Sequence, residues 1–255
     1  MYINRVIHLA GDAGKIILEN GGETYRVEET INRICKAYGL KDSESFVTPT
    51  GIMISATDTS GETISLVKRI KSRTVDLEKI SLVNDLSRRI GPNNLEVDYV
   101  YEKLEEIRNK KRYSTTITLL FSAISTAFFS LLFGGNIYDA IISFFIGIII
   151  KLFSIALSKI NINEFISNVI GGAIAAILAL LFTKLGFPTN LDKIIIGSIM
   201  LLVPGLAITN AIRDTISGDL VSGISRGLEA LLIAVAIAVG SGTVIKLWFN
   251  YFGGI

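Results

Sequence analysis

The residues best placed to do chemistry lie between positions 201 and 240, in LLVPGLAITNAIRDTISGDLVSGISRGLEALLIAVAIAVG. Asn210, Arg213 and Asp214 share one helical face, Arg226 and Glu229 share another, and Gly218-Asp219 separates the two groups. A charge within or beside a lipid-embedded helix costs about 2.5–3.5 kcal/mol on insertion scales, so such groups face a partner or an aqueous path. Guanidinium groups and carboxylates at these spacings could hold a carboxylate or a zwitterion, and a carboxylate among them could carry a proton. The plainer reading is a solvated loop whose charges pair with one another and serve topology. Pro204-Gly205 precedes the group. Proline removes a backbone hydrogen bond and glycine loosens the same turn, so a helix there is expected to kink or break.

Those residues are embedded in a strongly apolar region. Positions 1–112 hold 18 basic and 17 acidic residues, whereas 113–255 hold 7 and 6. The expected architecture is therefore a cytoplasmic domain at 1–112 followed by an α-helical polytopic membrane domain at 113–255. A crossing helix needs about 20 apolar residues. Five stretches qualify, at 115–133, 138–157, 165–185, 193–212 and 228–248. The basic cluster Arg108, Lys110, Lys111 and Arg112 before the first places the N-terminus in the cytoplasm and, after five crossings, the C-terminus outside. Gly171, Ala175 and Ala179, with Gly172 and Ala176 alongside, mark a face on the third span where another backbone can approach closely. Carbonyls freed by a break at Pro204 are tolerated at membrane depth only where protein or water satisfies them, which is how broken helices build binding sites.

The first 112 residues read as α+β. Apolar residues at helical spacing predict helices over 4–19 and 23–38, the second capped by Gly39. SFVTPT, GIMISAT and ETISLVKRI, divided by Thr50-Gly51 and by Asp58-Thr59-Ser60-Gly61, predict a three-stranded meander with Pro49 at a strand end. Asp76 opens a third helix that Gly91-Pro92 is expected to end, and a fourth begins near Leu95. The order is helix pair, meander, helix pair.

Other chemistries are poorly supplied. One His and one Cys cannot provide a metal's three or four ligands of those kinds, and no cofactor motif occurs. A net charge of +2 from two balanced halves offers no basic surface for nucleic acid. Cys35 shares a helix with Ile31 and Ile34 and reads as core. His8 and Asp12, four apart, could form an acid/base pair for hydrolysis, but a lone His beside one acid reads more simply as a surface contact, and no nucleophile elbow accompanies it. Gly21-Gly22-Glu23-Thr24 opens a helix and could present amides to an anion, although it lacks the lysine and spacing of a phosphate loop, so a plain turn is the simpler reading.

PGLAITNAIRDTISGDLVSGISRGLEALL resembles the signature of the threonine/serine exporter family, and GGETYRVEETINRICKAYGL with the IMIS strand is similar to that family's cytoplasmic domain. The resemblance covers almost the whole chain. It implies a proton-coupled exporter of threonine and serine in the plasma or inner membrane, or, in two-protein systems, of a dicarboxylate such as succinate. It also implies a smaller, separately encoded five-span partner; a homo-oligomer is compatible with it. A membrane-anchored hydrolase or regulatory protein is the rival class. Carried onto this sequence, the substrate or proton pathway comprises Pro204, Gly205, Asn210, Arg213, Asp214, Gly218, Asp219, Arg226 and Glu229, with no catalytic residue.

Overall fold

A computed structural model describes residues 2–58 and 61–253, so Thr59 and Ser60 of the expected second strand turn lie outside the described residues. The chain divides into two compact units. The first joins residues 1–111 to 205–228, and the second comprises 112–204 and 229–255.

In the first unit, α1 (Tyr2–Glu19) is apolar on nearly every side and forms the centre. α2 (Thr24–Ala37), α3 (Leu77–Asn93) and α4 (Val97–Asn109) pack on it, as do the second and third strands, while the first strand packs on α2. Val6, Ile7, Leu9, Ile17 and Leu18 of α1 have no exposed surface. Each such side chain contributes about 1.5–3 kcal/mol relative to exposure, enough for the helix to organise the unit.

The strands β1 (Asp42–Thr48), β2 (Gly51–Thr57) and β3 (Thr63–Arg69) form an antiparallel meander in the order β1-β2-β3. Val47, Ile52, Ile54 and Ala56 point into the core, while Phe46, Met53 and Val67 stand in register on the exposed face. Asp76 caps α3 by accepting the Lys79 amide at 3.2 Å. Gly91-Pro92 does not end that helix. Pro92 lies inside its last turn, and the stop falls at Asn94, whose φ of 46° turns the chain while its amide returns to the Gly91 and Ile90 carbonyls.

The second unit contains three long apolar helices, α5 (Thr115–Leu132), α6 (Ile137–Lys159) and α7 (Glu164–Lys184). A fourth, α10 (Leu220–Phe252), begins in the first unit and contributes residues 229–252 to the second. Among the described residues these four are long and apolar enough to cross a membrane. The segment expected as one span over 193–212 is divided instead. α8 (Leu191–Ile199) stops, residues 200–204 are non-helical, and α9 (Gly205–Ile216) starts immediately after Pro204. Nine residues of α8 rise about 14 Å, less than half the roughly 30 Å of hydrocarbon in a bilayer.

The small-residue face of α7 meets its partner within the chain. A Cβ added to Gly172 would lie 2.6 Å from the Ile237 carbonyl oxygen of α10, and one on Gly240 would lie 2.0 Å from that of Val169. These helices touch through their backbones, an approach that only glycine permits. α8 packs among α5, α6 and α7, and a Cβ on its Gly197 would come within 2.7 Å of Ser130 on α5.

Candidate functional site

The site is built on the turn between α1 and α2. Gly21 has φ +93°, and the Gly22 amide donates to the Ile17 carbonyl at 2.9 Å. No side chain fits at Gly22, where a Cβ would lie 2.3 Å from Ile17 Cγ2. This tight reversal leaves the carbonyls of Gly21 and Gly22 and the first amide of α2 without partners inside their own helices.

Residues almost two hundred positions later supply those partners, all within the first unit. Asn210 Nδ2 donates to the Gly21 carbonyl at 3.0 Å, and Arg226 Nη2 to the Gly22 carbonyl at 2.8 Å. Arg213 pairs with Glu23. Asp214 takes the remaining position: Oδ1 accepts the Thr24 amide at 3.3 Å and Oδ2 accepts the Thr24 hydroxyl at 3.1 Å. Arg226 Nε closes the circuit at 3.0 Å from Asp214 Oδ2. The first amide of α2 does receive an anion, and that anion is the chain's own Asp214.

Burial separates the motif into two kinds of residue. Asp214 is 0% exposed, Asn210 2% and Arg226 4%, so these three form a closed core rather than a solvated loop. Arg213 and Asp219 remain partly open to solvent. Gly218, at φ +95°, makes the reversal between α9 and α10, and Ser222 Oγ donates to the Val47 carbonyl at 3.3 Å. Pro204 and Glu229 belong to the second unit. Gly205 opens α9 and is exposed.

Of the acids bordering this core, two are held above their usual range and one below. Burial, then the charges of Asp219 and Asp214, push the Glu28 carboxyl above its usual range, although the Val47 amide, donating at 3.0 Å, opposes this. Burial and the Asp214 charge likewise raise Asp219. At Glu23 burial works upward, but the hydrogen bond from Arg26 and the charges of Arg26 and Arg213 outweigh it, so its carboxyl is held below the ordinary value. Glu28 was missed in the sequence. Its signal there is only an acid among several on α2, since the acids that perturb it lie near position 220.

The remaining candidates are placed just as plainly. Asp12 is engaged by Lys68 at 2.6 Å and Arg108 at 3.1 Å, which makes it a structural anchor for α4 and β3. His8 is exposed. Cys35 is wholly buried, and burial pushes its thiol up to about 11.

Long apolar helices, a hydrophobic segment broken at Pro204-Gly205 and buried charges just beyond it define a multi-pass membrane protein of the transporter class. The family model described as "Putative threonine/serine exporter" matches residues 8–248, and the chain belongs to that family. It is 26% identical over 250 residues to the "Threonine/serine exporter" of Corynebacterium glutamicum, covering 95% of this chain and 51% of that protein. It is 22% identical to the "Probable threonine/serine exporter" of Mycobacterium tuberculosis over 94% of this chain and 46% of that protein, so it spans about half the length of these two relatives. A third relative, the "Probable succinate transporter subunit YjjP" of Escherichia coli, is 24% identical, with 95% of this chain and 94% of that protein aligned. No solved structure matches.

Proposed function

We propose that this chain is a subunit of a proton-coupled exporter of small amino acids, threonine and serine first, in the plasma or inner membrane. The reading rests on one observation above the others: the family's charged motif forms a sealed core, Asp214 to Arg226 and both to the turn before α2, on the segment that follows in sequence the break in the fourth hydrophobic stretch. On this reading the fourth crossing runs through α8 and the unwound residues 200–204, giving five crossings with the N-terminus inside and the C-terminus outside.

The buried core then acts as a latch, and the less buried groups meet the passenger. Arg213 attracts the substrate carboxylate in competition with Glu23. Asp219 and Glu28 bind the proton, because burial and like charge already favour their neutral forms. Pro204 and Gly205 supply the flexible break, and Glu229 continues the polar face along α10.

Succinate is the second reading. The relative matched over nearly its full length carries a succinate name and the word subunit, which also supports a separately encoded partner; that it is smaller and of five spans is part of the proposal. The test is reconstitution of this chain with and without that partner, following labelled serine, threonine and succinate against an imposed proton gradient. Efflux of serine or threonine that needs both proteins supports the first reading, and efflux of succinate alone supports the second. Movement of none of the three overturns both.

A further inference from the structure

The first unit turns two rows of large apolar side chains away from its core. On α9, Ile208, Ile212 and Ile216 recur every fourth residue on the side opposite Asn210 and Asp214, which dock that helix on the turn before α2. On the first turns of α10, Leu220, Ile224 and Leu228 recur in the same way opposite Ser222 and Arg226, which donate to the Val47 and Gly22 carbonyls. All six are between 42% and 81% exposed. The helices lie against each other, since a Cβ built on Gly223 would come 2.1 Å from Thr215 Oγ1 and 3.0 Å from the Ala211 carbonyl oxygen. The two rows therefore form one apolar surface, and a surface of that kind marks an interface.

Protein and lipid leave different residue signatures on a helix. Where apolar helices of this chain meet, at Gly172 and Gly240, glycine lets the backbones touch. The two rows contain only isoleucine and leucine, whose branched ends suit acyl chains. They are also continuous with lipid-facing surface: α10 is a single helix, and the same spacing runs on to Leu231 and Val235, both exposed, in the stretch apolar enough to cross a membrane.

Length sets the depth. The 33 residues of α10 rise about 50 Å, more than the roughly 30 Å of the hydrocarbon core and the roughly 40–45 Å that includes the headgroups. Residues 220–228, which belong to the charged first unit, are the end that emerges. The 12 residues of α9 rise about 18 Å, too little to cross, and its polar side is held by the backbone of Gly21 and Thr24. A helix with charged groups on one side and isoleucine on the other lies in the plane of the membrane interface.

We propose that α9 and the first turns of α10 form an interfacial platform, with Ile208, Ile212, Ile216, Leu220, Ile224 and Leu228 immersed among lipid acyl chains and the Asp214–Arg226 core seated on its inner side. The inference requires a membrane protein and nothing of the exporter reading, so it stands or falls separately from any transport assay.

The test uses the full chain in vesicles of phosphatidylcholine and phosphatidylglycerol, with Ile212→Cys, Ile216→Cys or Ile224→Cys labelled by a bimane fluorophore. Wild type, whose Cys35 is buried, sets the background. Each labelled position should lose most of its fluorescence to lipid bearing a nitroxide near the headgroup, lose less to lipid bearing one near the chain end, and be shielded from aqueous iodide. Val67→Cys, on the exposed face of the meander, should be quenched by iodide and by neither lipid. The three positions are exposed, and each carries the test alone should another variant fail to insert. Iodide quenching at all of them would leave the surface in water, shielding from every quencher would mean that protein covers it, and stronger quenching by the deep nitroxide would mean a crossing; any of these overturns the platform.

Discussion

Replacing Asp214 by Asn keeps the side chain's shape and removes its charge. Arg226, 4% exposed, then retains the Gly22 carbonyl at 2.8 Å but loses the carboxylate at 3.0 Å from its Nε. Breaking a buried ion pair from one side costs about 3–5 kcal/mol, because the surviving charge remains out of water. That is a large share of the roughly 5–15 kcal/mol that holds an ordinary domain together. The second half of the experiment removes the orphan. Arg226→Met in the Asp214→Asn background should recover about 2–3 kcal/mol of coupling, since an apolar side chain of similar length leaves no stranded charge. Trypsin cleavage after Arg213 reads the opening of α9 directly, because that residue is accessible whereas its backbone lies within a docked helix. Cleavage should accelerate about 100- to 4,000-fold in Asp214→Asn and much less in the double variant. Rates unchanged by Asp214→Asn, or effects of the two substitutions that simply add, would refute the idea that a desolvated pair holds this interface.

Three further outcomes follow from the same geometry. Glu28 and Asp219 have carboxyls raised above their ordinary values of 4.5 and 3.8, so the docked form binds more protons than the opened one. Their stabilising contribution is complete below those ordinary values and is lost as pH rises through the raised ones; the trypsin cut after Arg213 should slow on acidification from neutral, and Glu28→Gln with Asp219→Asn should flatten that dependence. Gly172→Ala sets a methyl group 2.6 Å from the Ile237 carbonyl oxygen and should lower stability by about 1–3 kcal/mol, read as a drop in thermal midpoint; an unchanged midpoint would deny the α7–α10 seam. Cys35, buried with its thiol pushed up to about 11, should react with a maleimide only as fast as the first unit opens, and immediate labelling at neutral pH would contradict its burial.

Much of this was legible in the sequence because the signals are local. Proline's missing amide marks the break after α8 whatever surrounds it, and the small residues of α7 predict a close backbone approach without saying to what. The helix pairs and the meander follow from periodicity and turn residues. Gly91-Pro92 misled because a proline in a helix's last turn is compatible with helical φ, and the left-handed Asn94 only two residues later makes the stop. The site was half legible. Asn210, Arg213 and Asp214 do share a face of α9, as their spacing requires. That this face meets the turn at Gly21–Thr24 had no trace in either segment, since matching an unpaired carbonyl to a distant guanidinium is a property of the folded chain. The same holds for Asp214 as the anion at the start of α2: the turn advertised the vacancy, and the occupant lay 190 residues away.

The Asp214–Arg226 core holds residues 205–228 against the N-terminal turn before α2, and the proposed function requires that latch for export. The most direct measurement is efflux of labelled serine and threonine from vesicles holding the chain and the proposed partner, comparing wild type with Asp214→Asn and Arg226→Ala at equal amounts of inserted protein. Loss of efflux in both variants with insertion preserved is the predicted result, and wild-type efflux from either would contradict it.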